Sequence, residues 1–533
     1  MKENNKYSLG LVLLLYALGN FLMLFNNGVY WDDWCIYNMS YSGIRDIYYG
    51  VGAKFMLPIT YYLQNLSSSP AILYHVTTFI VEFSGIIIFY KILSGLLNDR
   101  YKVFWLTTFF ALVPYNDAKI LMVSLPYTIG FFLFLLASYF FILFVNKRGI
   151  FFRLSSLVVY FISFAFLNST LVLMLGFVLF IAIYIDYAAD KVIVSRTILR
   201  RLISWTDFLL LPFLFWSFRH LFLKPSNLYA IENYNEISIY SLVAFPKNLL
   251  STINNSLFGL GYEIFGTISS SFYLFLFFIL ISLGLIYYLR DSKNFPVYNL
   301  KFTLSKNWLL VGIYFFIVCS FAYIIVGKNP SFSGYETRHQ ILLRISTPIL
   351  IVWLVGMYKS SLVQKNVLIL LLSFFIVSTT KQNIQYISSW FKQLALERLF
   401  ADSKIINHSK AFLVIDNTRD LNETEREYPF YCFSGIIKKS IKDQSHFIIS
   451  AEETKALAKD YNVSSFSKYD YYNMKSYKDT GPIKNYMLID HKNQNPSVKD
   501  IMFLLALKYY SSGTFESQIE QLVEVSYFSK NDF

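Results

Sequence analysis

Residues 127–145 read YTIGFFLFLLASYFFILFV, nineteen positions without a charged side chain. As a helix this run rises about 28 Å, close to the hydrocarbon thickness of a bilayer. A helix that is apolar on every side has no solvated face, so the stretch reads as a transmembrane span. The rest of the chain agrees: of 533 residues, 55% are hydrophobic, 19% aromatic and 15% charged, whereas soluble domains carry about 25% charged residues. The formal charge of +13 would point to nucleic acid in a soluble protein; in a membrane protein it is read loop by loop. Disorder, a secreted disulfide scaffold and nucleic-acid binding all fit poorly. Cys35, Cys319 and Cys432 lack metal-site spacing and read as ordinary thiols, a Cys35–Cys432 bridge being the one pairing left open if both face an oxidising compartment.

Working outward, Ser8 to Phe25 reads as a retained first helix, without a cleavage site after it. Further spans are expected at Ile72–Leu97, Val103–Pro114, Tyr127–Val145, Ile150–Leu167, Thr170–Ile185, Phe208–Leu223, Phe272–Leu289, Trp308–Val326, Ile341–Tyr358 and Val367–Thr379. That gives about eleven helices. The basic connections Arg100–Lys102, Lys147–Arg153, Lys191–Arg201, Arg290–Lys306 and Lys359–Lys365 alternate with the others and are read as cytoplasmic. Asn26–Pro70, Tyr115–Pro126, Asn168–Ser169, Lys224–Ser271 and Gly327–Gln340 then lie outside, as does everything after Lys381. Within the first outer loop Ile44–Leu66 is apolar but broken by Gly50, Gly52 and Pro58, the pattern of paired interfacial helices rather than a span.

Near Thr380 the composition turns polar, with short apolar runs at Ala411–Ile415 and His446–Ile449 between helical stretches at Ala451–Lys459 and Val498–Tyr509. The expected organisation is a polytopic, all-α membrane domain over 1–380 and an extracytoplasmic α/β domain over 381–533.

Chemistry is sought first in Tyr30-Trp31-Asp32-Asp33-Trp34. Adjacent acids in a partly buried setting repel one another and one is pushed toward neutrality, which suits proton abstraction or metal binding. Asp117, in Pro114-Tyr115-Asn116-Asp117-Ala118-Lys119, lies in a short connection close to the membrane face, though it is also a good turn residue. Arg219-His220, Arg338-His339 and Lys54 stand where a phosphate-bearing lipid would be gripped; headgroup anchoring accounts equally well for Arg219. Arg344 is expected to face protein, because lipid exposure is costly. Walker A, dinucleotide, HExxH and GxSxG motifs are absent, and charges within the spans are few, Glu82 being the main one, which argues against an ion-coupled transporter.

The acidic pair in a long outer loop, the second acid after the third helix and the outer terminal region resemble the GT-C superfamily of polytopic glycosyltransferases. Tyr30–Trp34, Gly50-Val51-Gly52-Ala53-Lys54-Phe55 and Val113-Pro114-Tyr115-Asn116-Asp117 are similar to segments of bacterial serotype-converting O-antigen glucosyltransferases, with Lys54 where those proteins often have Arg. The resemblance covers mainly the first third of the chain. It implies transfer of a sugar, glucose for preference, from a polyprenyl-phosphate donor to a cell-surface glycan such as O-antigen, with inversion, at the outer face of a bacterial inner membrane. Asp33, with Asp32 as alternate, would be the base, Asp117 would orient the acceptor, Arg338, His339, Arg219 and Lys54 would hold the donor phosphate, and Trp31 and Trp34 would stack on sugar. No cofactor is required, with Mg or Mn on Asp32, Asp33 and Asp117 left open. The rival readings are a lipid-linked oligosaccharide flippase or exporter, and an O-antigen polymerase or ligase.

Overall fold

The computed structural model describes residues 8–147, 149–190, 195–226, 239–290, 306–332, 334–409, 411–442, 446–450, 485–493 and 495–529. It is mostly helical, with one small mixed sheet. Among the described residues, six helices are long and apolar enough to cross a membrane: Pro70–Leu96, Met122–Lys147, Thr170–Tyr187, Phe272–Leu289, Asn307–Ile324 and Ser361–Asp402. A seventh crossing is available if Gly334–Arg344 and Ser346–Val355, bent by 70°, act together. Shorter helices occupy the other expected positions, at Leu9–Asn20, Arg100–Leu112, Ile150–Phe166 and Thr206–Phe222. The Tyr127 run thus opens into a span, whereas a full set of eleven is not established by helix length.

The expected tenth span, Ile341–Tyr358, takes a different form. Residues Gly334–Arg344 wind as a 3₁₀ segment, and the α-helix begins only at Ser346. Two features place the break. Pro348 sits in the first turn of the new helix, where its missing N–H costs nothing. Arg344 is drawn inward: its Nη1 lies 2.8 and 2.6 Å from the two oxygens of Glu82, and its Nε donates to the Phe110 carbonyl at 3.1 Å.

Two ten-residue helices, Tyr41–Gly50 and Met56–Asn65, form where paired short helices were expected in the first loop. Each rises only about 15 Å, too short to span. Gly52 between them has φ +74°, and a Cβ there would stand 2.3 Å from the Leu223 carbonyl oxygen. Only glycine fits both the backbone and this docking onto the end of the Thr206–Phe222 helix. The Lys224–Ser271 connection, read as a loop, holds helices at Ile239–Val243, Phe245–Ile253 and Gly259–Ser270, with a π-turn over Asn254–Phe258.

The last long helix, Ser361–Ala401, has 41 residues and therefore measures about 60 Å, twice the thickness of a bilayer core. It runs unbroken through residue 380, where a domain boundary was expected. Its far half carries the sheet, in order β2-β1-β3-β4, with β1 (Ala411–Asp416), β2 (Phe447–Ser450), β3 (Asn485–His491) and β4 (Val523–Ser529). β1 pairs in parallel with β2 and β3, and β4 closes one edge antiparallel. The expected runs at 411 and 446 are strands, and Val498–Tyr510 is a helix. The expected helix at Ala451–Lys459 lies outside the described residues. One apolar cluster joins Leu22, Tyr30 and Cys35 to Ile387 and Phe391 and on to Phe412 and Val414, so the first loop and the sheet share a core.

Candidate active site

The first loop is tied to the long helix by paired side-chain and backbone bonds. Gln393 Oε1 accepts from the Val29 amide at 3.2 Å while its Nε2 donates to the Val29 carbonyl at 2.7 Å. The Tyr30 hydroxyl lies 2.6 Å from the Tyr386 carbonyl oxygen. From this anchor the chain turns sharply, and Trp31 is forced to φ +47°. A bulky side chain in the left-handed region costs about 1–3 kcal/mol and persists only where its surroundings impose it.

The turn separates the two acids. Asp33 is fully buried, with Oδ1 accepting from the Val123 amide at 2.8 Å and Oδ2 from the Tyr30 amide at 3.4 Å. Burial outweighs these bonds and pushes its carboxyl up to about 8. Asp33 is thus mostly protonated at neutral pH and works as a clip between the first and second loops. Asp32 is half-buried and bonded to Tyr431; burial raises it to about 6, with Tyr431 and the charge of Arg338 pulling the other way. Of the pair, Asp32 is the more exposed and is pushed up less, so the geometry favours it over Asp33, the acid preferred from sequence.

Arg338 and Asp117 meet this turn through the 3₁₀ segment. The Arg338 guanidinium lies 4.8 Å from the Trp31 ring centre and donates to the Tyr335 carbonyl at 3.0 Å. The Tyr335 ring stacks on Trp31 at 4.3 Å. One residue before Arg338, the Thr337 hydroxyl accepts from the Ala118 amide at 3.2 Å and bonds Asp117. Burial first, and Glu263 second, lift Asp117 to about 6 against the Thr337 bond; its Oδ1 has no partner among the described residues. His339 is buried, its Nδ1 2.9 Å from Glu336 Oε2, and that contact holds the Glu336 carboxyl down near 2. Lys328, lowered to about 8 by burial and by Arg338, is a further cation beside the segment.

No protein-family model matches the chain, and no curated protein matches it. The site therefore stands on its own geometry.

That geometry brings together Asp32, Trp31, Arg338, His339 and Asp117, and leaves out the other expected residues. Lys54 donates to the Phe222 carbonyl at 2.7 Å, next to the helix end that carries Arg219. This pair forms a separate patch where the first loop docks. Trp34 packs on Gly435, whose added Cβ would meet its ring at 2.5 Å. Among the described residues no group of three His, Cys, Asp or Glu side chains is arranged to hold a metal ion. Asp33 accepts from backbone amides through both oxygens. All three cysteines are free and buried.

Several residues at the site were not singled out from sequence. Tyr335 donates to Glu423 Oε1 at 2.5 Å, and Ser389 donates to Glu423 Oε2 at 2.6 Å. Behind them Lys392, wholly buried, is 2.7 Å from Asp416 Oδ2 and donates to Asn422 Oδ1 at 2.7 Å. Glu423 lies in the charged run Asn422–Glu427, which looks like a solvated loop; no local pattern marks it as buried.

Proposed function

We propose that the protein is an integral membrane glycosyltransferase that moves a sugar from a polyprenyl-phosphate donor to a glycan acceptor at the face of the membrane carrying the first loop. The observation that supports this is the grouping of a reachable carboxylate, Asp32, on the strained Trp31 turn with the guanidinium of Arg338, which packs on Trp31 from the 3₁₀ segment, while Thr337 of that segment bonds Asp117 of the second loop. In this reading the acceptor hydroxyl oxygen attacks the anomeric carbon and its proton passes to Asp32. The bond from that carbon to the phosphate oxygen breaks with inversion, and Arg338 stabilises the charge left on the polyprenyl phosphate. Asp117, whose buried Oδ1 has no partner among the described residues, orients the acceptor. Eleven spans, with the sheet and the first loop both outside, complete the proposal, and a bacterial inner membrane is its setting.

The test is sugar transfer in membranes from a labelled polyprenyl-phosphate sugar to endogenous glycan. Asp32→Asn and Arg338→Ala are expected to lower transfer by roughly 100-fold or more at normal protein level. Undiminished transfer by Asp32→Asn would remove Asp32 as the base, and wild-type membranes inert toward every such donor would defeat the proposal.

A further inference from the structure

The guanidinium of Arg338 is held by a chain of contacts that leads into the C-terminal region. Arg338 packs on Trp31, Trp31 stacks on Tyr335, and the Tyr335 hydroxyl donates to Glu423. Glu423 is 4% exposed and its second oxygen is taken by Ser389, whose hydroxyl is also 2.5 Å from that of Tyr428. Such a carboxylate has no solvent to turn to, so its two bonds fix it and, through it, the phenol ring. The ring in turn braces a tryptophan whose backbone is in the left-handed region. A second tie runs parallel to the first: Tyr431, in the Phe430–Ile441 helix of the C-terminal region, bonds Asp32.

We propose that Glu423 is a positioning residue, which sets the Arg338 guanidinium through Tyr335 and Trp31 and so makes the C-terminal region a working part of the phosphate-binding site. The role of Arg338 toward phosphate rests on the transferase reading; the positioning of its guanidinium does not. Glu423 acts through the Tyr335 hydroxyl. Its removal is felt as a loosened Arg338.

The experiment uses the full chain in nanodiscs and two readouts. The first is the rate of phenylglyoxal modification of Arg338, followed by peptide mass spectrometry, with exposed Arg45 as internal reference. Tyr335→Phe, which keeps the ring stack and removes only the hydroxyl, and Glu423→Gln are both expected to raise the Arg338 rate severalfold and leave Arg45 unchanged. An unchanged Arg338 rate in Tyr335→Phe overturns the proposal, whatever the protein's activity. The second readout is thermal stabilisation by a polyprenyl monophosphate against the phosphate-free polyprenol. Tyr335→Phe and Glu423→Gln are expected to weaken the phosphate-dependent part roughly tenfold each, and the double variant no further, because both cut one chain. Fully additive losses would overturn the single-chain account. Wild type unable to tell phosphate from alcohol would defeat the transferase reading, with the positioning role still decided by the arginine chemistry.

Discussion

Asp32 and Asp33 are neighbours with opposite fates, and pH separates them. Asp33 keeps its proton up to about 8 in the fold, against about 4 in a free chain. Between those values the folded state binds more protons than the unfolded one, so stability falls as pH rises. Asp32 and Asp117, each near 6, add to the lower half of that window only. Asp33→Asn is therefore expected to flatten thermal stability chiefly between pH 6 and 8, as a series of melting curves would show; an unchanged slope would mean the carboxyl is already ionised. Transfer by wild type should rise with pH through about 6 as Asp32 ionises. A further residue-level expectation concerns the Arg344–Glu82 pair, whose side chains are 5% and 3% exposed. Glu82→Ala leaves a buried cation and should cost about 3–5 kcal/mol, while replacing both with leucine should restore much of it. The sequence marked Asp32, Arg338 and Asp117 because acids and arginines beside membranes are expensive. It could not rank Asp32 against Asp33: that depends on which side chain meets the amides of residues 122–123, ninety positions away.

Among the elements, the long apolar runs at Ile72–Leu97, Tyr127–Val145, Phe272–Leu289 and Trp308–Val326 were legible and fall in long helices, since length and composition decide them without tertiary help, whereas Ser8–Phe25 and Ile150–Leu167 form shorter helices. The 3₁₀ segment was not. Gly334–Arg344 carries polar residues into an apolar helix, and its winding follows from Arg344 reaching Glu82 and Thr337 reaching the second loop. The 41-residue helix was cut short at Thr379 because hydropathy ends there, although helix formation does not. Thr380→Pro tests its continuity. A mid-helix proline removes a backbone bond and clashes with the preceding turn, at about 3 kcal/mol or more. It should disturb Gln393 and Ser389 together, and so lower transfer as well as stability. Transfer retained at wild-type level would show that the two halves act independently. Gly52→Ala tests the docking of the first loop; with φ +74° and a 2.3 Å clash, it should destabilise the protein measurably in a melting assay.

For the whole molecule, the sidedness read from basic loops becomes a labelling experiment. The native thiols are buried, so single introduced cysteines report cleanly. A membrane-impermeant maleimide applied from outside should label Tyr510→Cys, a position 90% exposed, and leave Arg196→Cys unlabelled until the membrane is opened. Labelling of both, or of Arg196→Cys alone, would overturn the topology. Membrane embedding was legible in composition alone; the common core of first loop and sheet was not, because sequence distance hides it. That distance has a consequence for how the protein is made. The Val29–Gln393 pair joins residues 364 positions apart. At roughly 5–20 residues per second, the ribosome takes about 20–70 s to supply the second partner after the first. For that interval the acidic turn is made but lacks the long helix that anchors it, so a chain stalled before Gln393 is expected to leave this turn open to chaperones and proteases.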